Sequence, residues 1–152
     1  MTGTQMNGVA YRGAPLGLND VIAGHVVLMF ADAGSVVAQI TAGTVRALGV
    51  SSTTRVPVLP NIPTIAESGV PGFDAVGWTL VCAPAATPMP IVDRLSAELS
   101  AAAQAPDVQT LIVKLGTIPV QSPPPAELQK FLAAEIGRWG DLIERAGVAK
   151  TL

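Results

Sequence analysis

Apolar and polar positions change rhythm several times along the chain, and each change marks an element. Residues 7–11, NGVAY, form an apolar run with the length of a strand. Residues 14–23 follow at helical spacing, with Pro15 suited to a first turn and Gly24 suited to the position just past a last turn. Residues 26–31, VVLMFA, are continuously apolar, as expected of a strand covered on both faces. Residues 33–42 read as a second helix ended by Gly43, and residues 45–51 as a third strand. Such alternation predicts an α/β fold with a parallel β-α-β-α-β unit and right-handed crossovers.

The pattern changes after Ser51. The stretch STTRVPVLPNIPTIAESGVPG carries four prolines and no long periodic run, which predicts an extended connection over the surface. Within it Thr64 and Glu67 have capping-box spacing, predicting a short helix before Gly69. Residues 73–83 read as another strand centred on Trp78. Helices are predicted over 88–105, 106–115 and 125–146, with a short strand at 118–120. In the last helix Leu128, Phe131, Leu132, Ile136, Trp139, Leu142 and Ile143 make one apolar stripe, and Gly147 is a natural stop. Repeats and low-complexity tracts are lacking.

Composition narrows the function classes. Of 152 residues 49% are hydrophobic and 13% charged, which excludes a disordered chain and predicts a heavily buried core. The net charge of −2 comes from nine basic and eleven acidic residues spread thinly, so a nucleic-acid surface and a polybasic membrane patch are excluded. The single cysteine, Cys82, cannot form an internal disulfide and reads as an inert buried thiol. No apolar run reaches the ~20 residues that span a bilayer. The opening residues MTGTQMNG lack the basic and apolar regions of a secretory leader, so the chain as written is expected in the cytoplasm.

Candidate chemistry lies in the loops that follow the strands, because parallel α/β sheets bind ligands beyond their carboxyl ends. Three loops qualify: 11–15, 30–34 and 51–54. In the first, Gly13 admits close approach to the backbone, and the helix starting at Ala14 offers unpaired N–H groups to an anion. Tyr11 can add a hydroxyl and Arg12 a positive field. The plain alternative is an ordinary βα turn with Arg12 in water. Asp32, just before Ala33, has two readings: an N-cap for the second helix, or an acceptor for a ligand ammonium or hydroxyl. His25, the only histidine, falls at the opposite end of the sheet and reads as a solvated turn residue. Neither a metal-ligand pattern nor a glycine-rich phosphate loop is present, and neither Ser35 nor Ser51 has a base on its side of the sheet. Catalytic residues, metals and cofactors are therefore not expected.

VAYRGAPLGLNDVIAGHVVLMF, ITAGTVRALGVSSTTRVPVLPNIPTIAESGVPGF, GWTLVCAPAATPMPIVDRLSAEL and FLAAEIGRWGDLIERAGV follow one another in order. Together they resemble the C-terminal half of the Bug family, the extracytoplasmic receptors of tripartite tricarboxylate transporters. Residues 63–72, PTIAESGVPG, are the most specific part; the Tyr11-Arg12-Gly13 turn and Ile136-Gly137-Arg138-Trp139 support it. The resemblance implies a partial type II periplasmic-binding-protein fold, with residues 1–54 in the second lobe, 55–76 as crossover and hinge, and 77–152 completing the first lobe. It implies a small carboxylate ligand, membrane transporter subunits as partners and a periplasmic location. The ligand-binding set it suggests is Tyr11, Arg12, Gly13, Ala14, Asp32 and Ala33.

The sequence departs from the family at several points. Val27 stands where an aspartate is common, and Ala10 where a proline is usual. The family's leader, most of lobe one, and the Gly/Ser-rich loop and helix preceding the Tyr-Arg-Gly turn have no counterpart. Half of such a fold exposes strand edges and apolar faces. A homo-oligomer, a partner supplying the missing N-terminal half, and loosely attached C-terminal helices are the expected outcomes. The competing expectation is a truncated, vestigial fragment that binds no ligand and acts at most as a structural or oligomerising module.

Overall fold

The computed structural model describes residues 2–148. Five helices follow in chain order: α1 (Ala14–Ile22), α2 (Ala33–Thr41), α3 (Met89–Ala103), α4 (Pro106–Lys114) and α5 (Pro125–Ala146). All five stand where periodicity places them, within two residues at each end. Local signals explain the agreement. Proline occupies the first turn of α1, α3, α4 and α5, where its missing N–H costs nothing. Gly24 and Gly43 adopt left-handed φ values of 78° and 72°. Each lets the chain close a Schellman turn: His25 N–H donates to Asp20 O at 2.9 Å, and Thr44 N–H to Gln39 O at 3.0 Å.

The chain divides into two compact units. One contains residues up to Val81 together with Ala105–Pro119. It holds α1, α2 and α4, with α1 packed on α2. The other contains Cys82–Gln104 and the chain from Val120 onward, with α3 and α5. In α5, Glu135 accepts the Trp139 indole N–H at 3.0 Å and pairs with Arg138 at 3.1 Å, tying together successive turns.

The strand segments behave differently from the helices. Residues 7–11, 26–31, 45–51 and 73–83 form no regular strand, and among the described residues the only bridge is a parallel one between Val50 and Thr64. A ladder needs a neighbour at the right register, and most of these segments find none.

The stretch from Val50 to Ser68 is held by several hydrogen bonds. Val50 N–H donates to Pro63 O and Ile65 N–H to Val50 O, each at 2.9 Å. The capping box closes in both directions: Thr64 N–H to Glu67 Oε2 at 2.7 Å, and Glu67 N–H to Thr64 Oγ1 at 3.0 Å. It turns the chain once without starting the expected helix, since Gly69 and Pro71 follow at once. Arg55 adds an ion pair to Glu67 at 3.1 Å. The N–H of Thr64 and the guanidinium of Arg55 hold the Glu67 carboxyl below its ordinary range. Thr64 is only 2% exposed, and Val56 and Leu18 are the buried hydrophobic residues among those described.

Two glycines allow close backbone approach. At Gly34, in the first turn of α2, a Cβ would overlap the carbonyl oxygen of Leu115 just after α4. Gly17 leaves room for the Tyr11 ring, which lies 3.3 Å from where its Cβ would stand.

Cys82 is exposed, not buried as its apolar neighbours suggest. Burial of a strand residue comes from layers packed on the strand, and residues 73–83 belong to no ladder.

Candidate functional site

Three loops separated by 15–20 residues in sequence meet at one open cavity of about 270 Å³. Ala14 enters from the first loop, Phe30, Ala31 and Asp32 from the second, and Ser51 from the third. Ala75 and Gly77 close the remaining side from the stretch that follows Gly72. Ala75 N–H donates to Ser51 O at 3.0 Å, which fixes that wall to the third loop.

The electrostatics follow from the helices. Ala14 is the first residue of α1, whose first turn contains no acidic side chain and no side-chain cap. Pro15 has no N–H, so Ala14 and Leu16 carry the first-turn donors that face outward. Such a helix start favours an anion by about 0.3–1 kcal/mol where exposed. The pole of α2 is less available, because the Leu115 carbonyl is pressed against Gly34.

Asp32 stands at the N-cap position of α2, but its carboxylate makes no capping bond. The cap is supplied by its backbone instead: Asp32 O accepts the Ser35 hydroxyl at 2.7 Å and the Ser35 N–H at 2.9 Å. The expectation that Asp32 caps the helix through its side chain is therefore corrected, and Asp32 is one of the residues that line the cavity.

The remaining expected site residues lie around the cavity without lining it. The Tyr11 ring folds back along α1, and its hydroxyl donates to Asp20 Oδ2 at 2.7 Å. That bond to Asp20 holds the phenol above its ordinary pKa and, with His25 as second partner, holds Asp20 below its own. The hydroxyl expected for a ligand is thus committed within the protein. Arg12 is exposed, Gly13 is the N-cap of α1, and Ala33 begins α2. His25 is exposed at the far turn, 3.4 Å from Asp20.

Sequence reasoning missed Ala75 and Gly77. They come from a segment treated only as a strand. Their small size beside an extended apolar run was the available signal. A second cavity of similar volume lies along α1 and α2, lined by Ala14, Pro15, Leu18, Asn19, Ser35 and Gln39. It contains no charged side chain. Among the described residues no cluster of histidine, cysteine or carboxylates suits a metal ion, and no helix is long and apolar enough to cross a membrane.

A family model described as the tripartite tricarboxylate transporter family receptor matches residues 1–148. A UPF0065 protein of Pseudomonas sp. strain P51 is 43% identical over 89% of the chain, which covers 40% of that relative. Protein BugT of Bordetella pertussis is 32% identical over 96% of the chain and 44% of its own length. A UPF0065 protein of Pseudomonas knackmussii, 32% identical over 93% of the chain, is matched over 83% of its length, so it is only slightly longer than this chain.

Solved structures agree. Rpa4515 of R. palustris with adipate matches with a TM-score of 0.85 and 33% identity over 97% of the chain and 49% of its own. The periplasmic binding protein BugD matches with 0.80 and 35% over 96% and 49%. MatC of Rhodopseudomonas palustris with bound malate matches with 0.75 and 33% over 91% and 48%. The chain thus spans about half of these receptors, and its fold is the corresponding part of a periplasmic binding protein. It belongs to the receptor family of tripartite tricarboxylate transporters.

Proposed function

We propose that this chain contributes one lobe's share of a receptor site for a small carboxylic acid. The acid would be captured in the periplasm and handed to the membrane subunits of a tripartite tricarboxylate transporter. The observation that carries this reading is the meeting of three strand-following loops at one cavity, beside the uncapped start of α1. A carboxylate seated there accepts hydrogen bonds from the N–H groups of Ala14 and Leu16 and gains from the helix dipole. Asp32 repels a second carboxylate at the same spot, so it favours a ligand that presents a hydroxyl or ammonium donor on that side. Adipate in Rpa4515 and malate in MatC support the carboxylate class. Residues 1–54 would form lobe two, 55–76 the crossover and 77–152 the end of lobe one.

The competing reading, a fragment with no ligand, is favoured by the strand-like segments that find no ladder partner. Calorimetric titration with malate, adipate and citrate separates the two. Saturable heat that vanishes in Gly77→Leu supports the site. A Cβ at Gly77, which lines the cavity, meets no atom within 4 Å, so the substitution begins in open space. Absence of heat from a folded sample supports the fragment reading.

A further inference from the structure

Asp20 lies in the last turn of α1, and Tyr11 stands three residues before the first. They meet because the Tyr11 ring folds back along the helix. The Tyr11 hydroxyl donates to Asp20 Oδ2 at 2.7 Å, the short range of a hydrogen bond to an ionised acceptor. Position 17 makes room for the ring: a Cβ there would stand 3.3 Å from Tyr11 Cδ2 and 3.6 Å from the Met29 methyl. Asp20 also holds the chain where it leaves α1. Its carbonyl accepts the His25 N–H at 2.9 Å and the Val26 N–H at 3.3 Å, and its Oδ1 faces His25 Nδ1 at 3.4 Å. From Val26 the chain runs on to Phe30, Ala31 and Asp32, which line the cavity.

Neither Tyr11 nor Asp20 lines that cavity, yet both bear on how its first loop is held. Arg12 and Gly13 are exposed, and α1 starts without a side-chain cap. The bond from Tyr11 to Asp20 supplies the tie between loop and helix that a cap would otherwise give. Donors already held in place bind an anion without first being ordered, so such a tie strengthens binding from outside the site.

We propose that Asp20 is a positioning residue for the carboxylate site: acting through the Tyr11 hydroxyl, it holds the loop at 11–13 so that the Ala14 and Leu16 N–H groups stay aimed at the cavity. This rests on the carboxylate reading of the cavity that Ala14, Asp32 and Ser51 line.

Amide NMR titration of the full 152-residue chain with adipate tests it. Tyr11→Phe keeps the ring over Gly17 and removes the hydroxyl; Asp20→Ala removes the acceptor and places a good helix former in the helix. Each weakens adipate by about fivefold, and the double variant by no more than either alone, because both cut one bond. Asp20→Asn keeps an acceptor for the phenol and holds affinity within about twofold of the parent. His25→Ala removes a partner that is 72% exposed and also stays within about twofold. The signature in Tyr11→Phe is local: shifts at Ala14 and Leu16 shrink at saturation while those at Ser51 and Gly77 persist. Tyr11 is the only tyrosine, so phenolate absorbance reads its bond directly. The phenol titrates above its ordinary range in the parent, through the hydrogen bond to Asp20, and falls back in Asp20→Ala.

Full affinity in Tyr11→Phe and Asp20→Ala, with the parent binding, would overturn the positioning role and leave the carboxylate site standing. Losses that add in the double variant, an equal loss in His25→Ala, or shifts that shrink evenly at every cavity amide would overturn it as well. If Asp20→Ala fails to fold, Tyr11→Phe and Asp20→Asn decide the matter by the same readings. A folded parent that binds no adipate would remove the carboxylate reading and this proposal with it.

Discussion

Replacing Gly34 with alanine adds one methyl group where two stretches of backbone already touch. The new Cβ would overlap the Leu115 carbonyl oxygen and stand 2.8 Å from its carbon, whereas ordinary contact begins near 3.4 Å. Neither partner is a side-chain tip that can swing away, so the start of α2 or the end of α4 must move. Overpacking of this kind costs about 1–3 kcal/mol, and an all-backbone clash belongs at the upper end. Alanine also favours the helix over glycine by about 1 kcal/mol. The net expectation is a loss of about 2 kcal/mol, a fall of about 1 M in the urea midpoint for a typical slope. Gly140→Ala is the matched control. It lies inside α5 with no atom within 4 Å of its Cβ, so only the helix gain applies and the midpoint should rise by about 0.5 M. Chemical unfolding followed by circular dichroism measures both. If Gly34→Ala proves as stable as the parent, α2 does not pack its first turn against Leu115 as described. The placement of Asp32, two residues earlier, would then lose its support.

Asp32→Asn should keep the fold, since the carboxylate makes no capping bond, while tightening binding of plain dicarboxylates relative to hydroxy acids such as malate in parallel titrations. Acid should weaken the Thr64–Glu67 turn. Glu67 is held below its ordinary pKa, so its contribution is complete above about pH 4.3, its unfolded range, and fades as pH falls through the lower folded value. Urea midpoints from neutral to pH 2 should therefore drop in that window, and Glu67→Gln should flatten part of the drop. Asp20, lowered by the Tyr11 hydrogen bond and then by His25, acts in the same direction; Tyr11→Phe should remove the first of these effects in the same series.

The helices were legible because their signals are local. A proline in the first turn, an apolar stripe and a glycine past the end all lie within one segment, and α5 runs over the expected residues. Strand pairing was not legible, because a ladder depends on neighbours far away in sequence. Residues 26–31 have the composition of a doubly covered strand, and here Val27 stands in solvent. The same reasoning buried Cys82, which is exposed. The Thr64–Glu67 pair was read correctly as a capping box, but the glycine and proline that follow limit it to one turn.

The cavity was partly legible. The rule that ligands gather beyond strand ends brought together Ala14, Asp32 and Ser51 from three separate loops. The Tyr11 hydroxyl finds Asp20 nine residues on, and the rule had no means of finding Ala75 and Gly77. Gly17, which leaves space for the Tyr11 ring, was a weak sequence signal for that inward fold.

The most direct test of the carboxylate site is amide NMR of the isotope-labelled chain during titration with adipate. The site predicts saturable shifts at Ala14, Leu16, Asp32, Ser51 and Gly77, with a dissociation constant of about 1 mM reflecting about 4 kcal/mol from a single lobe. Saturable shifts gathered on α3 and α5 instead, or none at ~10 mM ligand in a folded sample, would contradict it.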